Sequence, residues 1–185
     1  MTIYIDDTQR WLARAVIGLN LCPFAKAVHV KKQIHYAVSQ AHSLVELRAE
    51  LAQELSDLVT LDAQVRDTSL LIVPTLLPDF LDFNDFLAEA DDVLAELDLE
   101  GVIQIASFHP DFQFAGTRAD DITNCTNRSP YPTLHLIREA SIDKAVAAFP
   151  EPEAIFETNM QTLENLGLAG WEALGVGPTP TDAPS

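Results

Sequence analysis

A chain of 185 residues, 48% hydrophobic and 21% charged, can bury one continuous core without disulfides and is too apolar for intrinsic disorder. Its formal net charge of −17 excludes a general nucleic-acid-binding surface and disfavours adsorption to anionic membranes, since both need a basic footprint. No run approaches the roughly eighteen apolar residues of a membrane span. Met1-Thr2-Ile3-Tyr4-Ile5-Asp6-Asp7 has neither the basic segment nor the apolar stretch of a secretory signal, so the expected location is cytoplasmic. Two cysteines, Cys22 and Cys125, are expected to stay reduced there.

In chain order, Trp11, Leu12, Ala15, Val16 and Leu19 recur at helical spacing and predict a helix over 8–18, ended near Gly18 and Asn20. Pro23 disfavours helical geometry at Cys22 but suits the first turn of a new short helix. Residues 33–38 alternate, with Ile34, Tyr36 and Val38 on one side, as an edge or half-exposed strand does. Ser43 with Glu46 three residues on is a capping-box signal. Behind it, Leu44, Leu47, Leu51, Leu55 and Leu58 make one apolar stripe. The apolar run 69–73, stopped by Pro74, predicts a central strand covered on both faces. Phe83, Phe86, Leu87, Ala90, Val93, Leu94 and Leu97 predict a helix over 83–97, capped by Asp82 or Asn84. A strand follows at 102–106.

Strand, helix, strand, helix, strand across 33–107 is the pattern of an α/β domain with a largely parallel or mixed sheet and helical crossovers. A ferredoxin-like α+β sandwich is the alternative. The long connection 108–133 is rich in aromatics, which suggests packing and a further strand. Helices are expected within 135–148 and within 153–166, the second opened by Pro152 and closed by Gly167. Residues 1–176 thus form one domain, and 177–185, rich in proline, a disordered tail.

Three segments stand out: Gly18-Leu19-Asn20-Leu21-Cys22-Pro23-Phe24-Ala25-Lys26, Ala106-Ser107-Phe108-His109-Pro110-Asp111-Phe112-Gln113-Phe114-Ala115-Gly116, and Asn127-Arg128-Ser129-Pro130-Tyr131-Pro132. In this order they resemble a family of short bacterial proteins catalogued only as a conserved domain of unknown function, over roughly residues 7–168. The resemblance implies a bacterial cytosolic setting and supplies no reaction.

Charge is uneven along the chain. Residues 33–100 hold two basic and fifteen acidic residues, residues 101–144 four and five, and the last forty-one hold six acidic residues and no base. Positive charge is therefore concentrated in 10–32 and 118–144, where a small anionic substrate could be held despite the overall charge. Arg118, Arg128 and Arg138, with Lys26, are candidate anion ligands, because guanidinium groups contact phosphate or carboxylate in two places at once.

His109 and Asp111 are candidates for acid–base catalysis, and with His135 for a divalent metal, since imidazole and carboxylate serve both purposes. Asp120, Asp121 and Cys125 lie nearby in sequence. The spacing matches no zinc signature, and loop capping is the structural alternative for His109 and Asp111. Cys22 is a candidate nucleophile if helix amides lower its pKa, against the alternative of a packed small hydrophobe. Either X–Pro bond around Tyr131 is a candidate for cis geometry.

The leading expectation is an enzyme acting on a small anionic metabolite through His109, Asp111, Arg118 and Arg128. The alternatives are a non-catalytic binding or protein-interaction module, and a thiol-dependent enzyme using Cys22. There is no P-loop, dinucleotide glycine fingerprint, GxSxG or HExxH motif.

Overall fold

The computed structural model describes residues 2–147 and 154–180. It is an α/β domain built on a four-stranded mixed sheet with helices on both faces. In chain order, helix α1 (Thr2–Trp11) continues as a π-helical turn over Leu12–Ile17, followed by α2 (Ala25–Val30), β1 (Ile34–Val38), α3 (Leu44–Thr60) and β2 (Thr68–Ile72). Then come α4 (Phe80–Glu96), β3 (Ile103–Phe108), a 3-10 turn (Ile122–Asn127), β4 (Thr133–Arg138), α5 (Glu139–Ala147) and α6 (Ala154–Ala173).

The strand order is β1-β2-β4-β3. β1 and β2 pair in parallel, from Ile34 opposite Thr68 to Val38 opposite Ile72. β4 runs antiparallel to both its neighbours, with Thr133 opposite Ile72 on one side and Phe108 on the other. The strands β1, β2 and β3 therefore share one direction and are linked by the helical crossovers α3 and α4, while β4 is slotted between β2 and β3.

Both crossovers advance across the sheet the same way, so their helices lie on the same face. Leu47, Leu51, Leu55 and Leu58 of α3 and Phe83, Phe86, Ala90 and Val93 of α4 bury their stripes there against Leu71, Ile103, Leu134 and Leu136. Trp11, Leu12, Ala15 and Val16 cover the opposite face with Ile34, Tyr36 and Phe108. Helices on both faces rule out the ferredoxin-like alternative, in which they would be segregated to one.

Local chemistry explains several element ends. Ser43 Oγ accepts from the Glu46 amide at 3.2 Å, starting α3 as the capping box predicts. Asn20 takes a left-handed φ of 56° and ends the first helical stretch. The cap of α4 is Asp79, whose carboxylate accepts from the Leu81 and Asp82 amides, so the helix begins a turn before the expected Asp82 or Asn84.

Of three further expectations, one holds and two are corrected. The helix expected within 135–148 is α5, which starts at Glu139, and it is preceded by a strand that was not expected there, β4 over Thr133–Arg138. Between Phe108, the end of β3, and Thr133, the start of β4, the connection forms no further strand and carries the 3-10 turn instead. Neither proline bond around Tyr131 is cis.

The expected opening of the last helix at Pro152 lies outside the described residues. Gly167, expected to close it, adopts φ 67° and ψ 171° and kinks α6. Within the expected tail, Arg10 donates to the carbonyls of Gly175 and Gly177, and Thr179 bonds to Asp7 through amide and hydroxyl. The chain is thus anchored as far as Thr179.

Candidate functional site

Alternation along β2 and β4 sends Leu71, Leu134 and Leu136 into the α3/α4 core. It sends Thr68, Leu70, His135 and Ile137 to the other face. There they floor a cavity of about 580 Å³ whose walls come from the Cys22-Pro23-Phe24 turn, α2 and α5. The surface is mainly apolar, supplied by Leu12, Phe24, Val28, Ile34, Leu70 and Ile142. Its polar groups are few: Cys22, Thr68 and His135 within, and Lys31, Gln33, Gln64, Asp67, Ser141 and Lys144 around it.

Cys22 is half-buried. Burial pushes its thiol above the ordinary value, against the pull of the Phe24 and Ala25 backbone amides. His135 Nε2 lies 2.7 Å from Thr68 Oγ1, and the same hydroxyl donates to the Leu136 carbonyl at 2.7 Å. Burial lowers the His135 pKa to about 4, which keeps the ring neutral at pH 7. Asp67 accepts from Ser141 Oγ at 2.7 Å and so ties α5 to the start of β2. Lys31 and Lys144 are exposed and form no ion pair among the described residues.

The other candidates do not gather here. His109 is fully buried, at 0% exposure. One ring nitrogen, Nε2, sits 3.1 Å from the Leu77 carbonyl, and Nδ1 accepts from the Asp111 amide at 3.0 Å. Burial lowers its pKa, opposed by the Leu77 bond and the charges of Asp111 and Asp79. With both nitrogens engaged by backbone and Phe80 and Phe83 beside the ring, His109 ties β3 to the loop before α4.

The arginines likewise face backbone or carboxylates of the chain itself. Arg128 donates to the carbonyls of Phe112 and Ala119, and Arg138 to those of Leu58, Leu61 and Arg66. Arg118, 85% exposed, pairs with Asp120. Lys26 is exposed on α2 and is not among the cavity residues. Asn124 organises the 108–133 connection, accepting from Phe114 and Thr117 and donating to the Arg118 carbonyl.

A family model described as a protein of unknown function (DUF1415) matches residues 3–173. The chain belongs to the DUF1415 family. The matched span takes in the whole sheet, all three motifs and every residue of the cavity. No curated protein and no solved structure matches.

In this DUF1415 domain no helix among the described residues is long and apolar enough to cross a membrane. Among the same residues, no three or more His, Cys, Asp or Glu side chains gather to hold a metal ion, so His109, Asp111 and His135 form no such cluster. Thr68, Lys31 and Lys144 were not singled out by sequence reasoning. The one signal pointing to the lysines is regional, since each lies in one of the two base-rich segments, 10–32 and 118–144.

Proposed function

We propose that this protein binds a small molecule with an apolar body and an anionic group in the cavity beneath α2 and α5, with Cys22 placed to react with it. The observation that carries this reading is that the two base-rich segments converge there: Lys31 and Lys144 stand at a mainly apolar cavity holding Cys22 and His135. All seven arginines donate to carbonyls or carboxylates of the chain, as Arg14 does to Leu174 and Arg48 and Arg66 do to Glu96 and Glu54. The lysines are the cations left for a ligand at this place. An apolar wall with a few convergent polar groups is the usual form of a small-molecule site.

The expected substrate class, a small anionic metabolite, is retained, and its site is moved from His109, Arg118 and Arg128 to the cavity. A thiol-dependent reaction is the enzymatic form of this reading. It has a chemical condition: burial holds both the Cys22 thiol and the His135 ring in their neutral forms, so a reactive thiolate requires the bound ligand to change that balance. Two free thiols suit the reducing bacterial cytosol that we propose as the setting.

Titration calorimetry with octanoate, octanol and octylamine tests the binding. Octanoate is expected to bind tightest, with Lys31→Gln/Lys144→Gln weakening it about tenfold, as loss of two exposed charge contacts would. Octanoate should also slow alkylation of Cys22 by iodoacetamide. Equal binding of the three compounds, or unprotected Cys22, overturns the reading.

A further inference from the structure

The hydrogen bonds at Thr68 fix what the cavity floor offers to a ligand. A threonine hydroxyl has one proton. Thr68 Oγ1 lies 2.7 Å from the Leu136 carbonyl, which can only accept, so the proton goes there. The equally short contact to His135 Nε2 is then closed by a proton on the ring. A neutral imidazole with Nε2–H has its lone pair on Nδ1. Among the described residues no group donates to that Nδ1, in contrast to His109, whose Nδ1 is taken by the Asp111 amide.

Resting on the cavity reading, we propose that His135 Nδ1 is a specificity-determining acceptor, and that the ligand is an amphipathic anion carrying a hydroxyl or N–H donor on its apolar body. The lysines at the mouth take the anionic group, and His135 on the floor takes the donor. Thr68 is the positioning residue that fixes the tautomer through the Leu136 carbonyl. A site with a fixed acceptor discriminates against a ligand lacking the donor, because the acceptor is then desolvated without a partner.

Indole-3-acetate and benzofuran-3-acetate test this, being alike in shape and charge and differing in the ring N–H. Wild-type protein is expected to prefer indole-3-acetate about tenfold, the ratio one buried hydrogen bond gives. In Thr68→Val the tautomer is no longer fixed, and the preference should fall towards one even if both affinities change. Nitrogen-15 shifts of the His135 ring should show an unprotonated Nδ1 in wild type. Equal affinity of the two probes beside tight octanoate binding, or a protonated Nδ1, overturns the inference and leaves the cavity reading standing. Failure of all three carboxylates to bind overturns both.

Discussion

Asp7 shows how much one buried carboxylate can organise. It is fully buried, yet four groups from three parts of the chain reach it: Arg10, the Tyr131 hydroxyl at 2.6 Å, and the amide and hydroxyl of Thr179. Burial alone would raise its pKa, but the bonds from Thr179, Tyr131 and Arg10 prevail and lower it. A folded-state pKa below the unfolded one means the stabilisation is complete above the unfolded value, about pH 4, and is lost as the pH falls through the folded one. Asp7→Asn is therefore expected to cost about 2–3 kcal/mol at pH 7, as loss of hydrogen bonds to a charged group does. In urea titrations from pH 7 to pH 2.5, the gap between wild type and variant should narrow below about pH 4. A gap that does not change with pH would show that the carboxylate is not the charged hub. His135 and His109 make the complementary point, since two buried histidines differ in use because only one has both nitrogens engaged by the fold.

At the scale of elements, the kink in α6 rests on one residue. Gly167 sits at φ 67° and ψ 171°, a region open essentially to glycine, and a Cβ there would meet nothing within 4 Å. Gly167→Ala should thus act through backbone strain alone and cost about 1–3 kcal/mol, read as a lower urea midpoint with unchanged m-value. Stable α6 with no loss would mean that the kink is not required. The helices α3 and α4 were legible in the sequence because a leucine or phenylalanine stripe and a side-chain cap are local signals. Strand β4 was not. Leu134 and Leu136 alternate with Thr133, His135 and Ile137, but the run is short and flows without a turn residue into Glu139–Ala147, so nothing local marks it off from the helix expected within 135–148. Of the site, only Cys22 and His135 were singled out, each for a separate role, and the rest was illegible for a related reason. The arginines of 118–138 cluster in sequence, but folding aims Arg128 and Arg138 at backbone carbonyls and Arg118 at Asp120, whereas Cys22 and His135 come to line one cavity because β4 inserts into the sheet.

Over the whole molecule, the C-terminal segment acts as a strap across the face opposite α3 and α4. Leu174 accepts from Arg14, Gly175 and Gly177 accept from Arg10, Val176 packs with Trp11 and Leu12, and Thr179 closes on Asp7. Ending the chain after Ala173 removes all of these at once. A cost of about 3 kcal/mol is expected, equivalent to roughly 6–12 °C in Tm for a domain of this size. Differential scanning calorimetry measures it, and an unchanged Tm would show the strap to be a passenger. The truncation leaves the walls of the cavity intact, so octanoate binding should survive it below the new Tm.

The position of β4 also bears on how the chain is made. Its partners β2 and β3 are both synthesised before it, yet they lie on either side of it and never touch one another in the finished sheet. Until residues 133–138 leave the ribosome, the nascent chain carries β1 and β2 joined through α3, and β3 tethered by α4 with no strand beside it. Two open edges then face each other across a gap of about two strand spacings, roughly 9–10 Å. Such edges accept any extended segment within reach. The nascent chain is therefore exposed to mispairing until β4 emerges, and the floor of the cavity, which needs His135, is assembled only then.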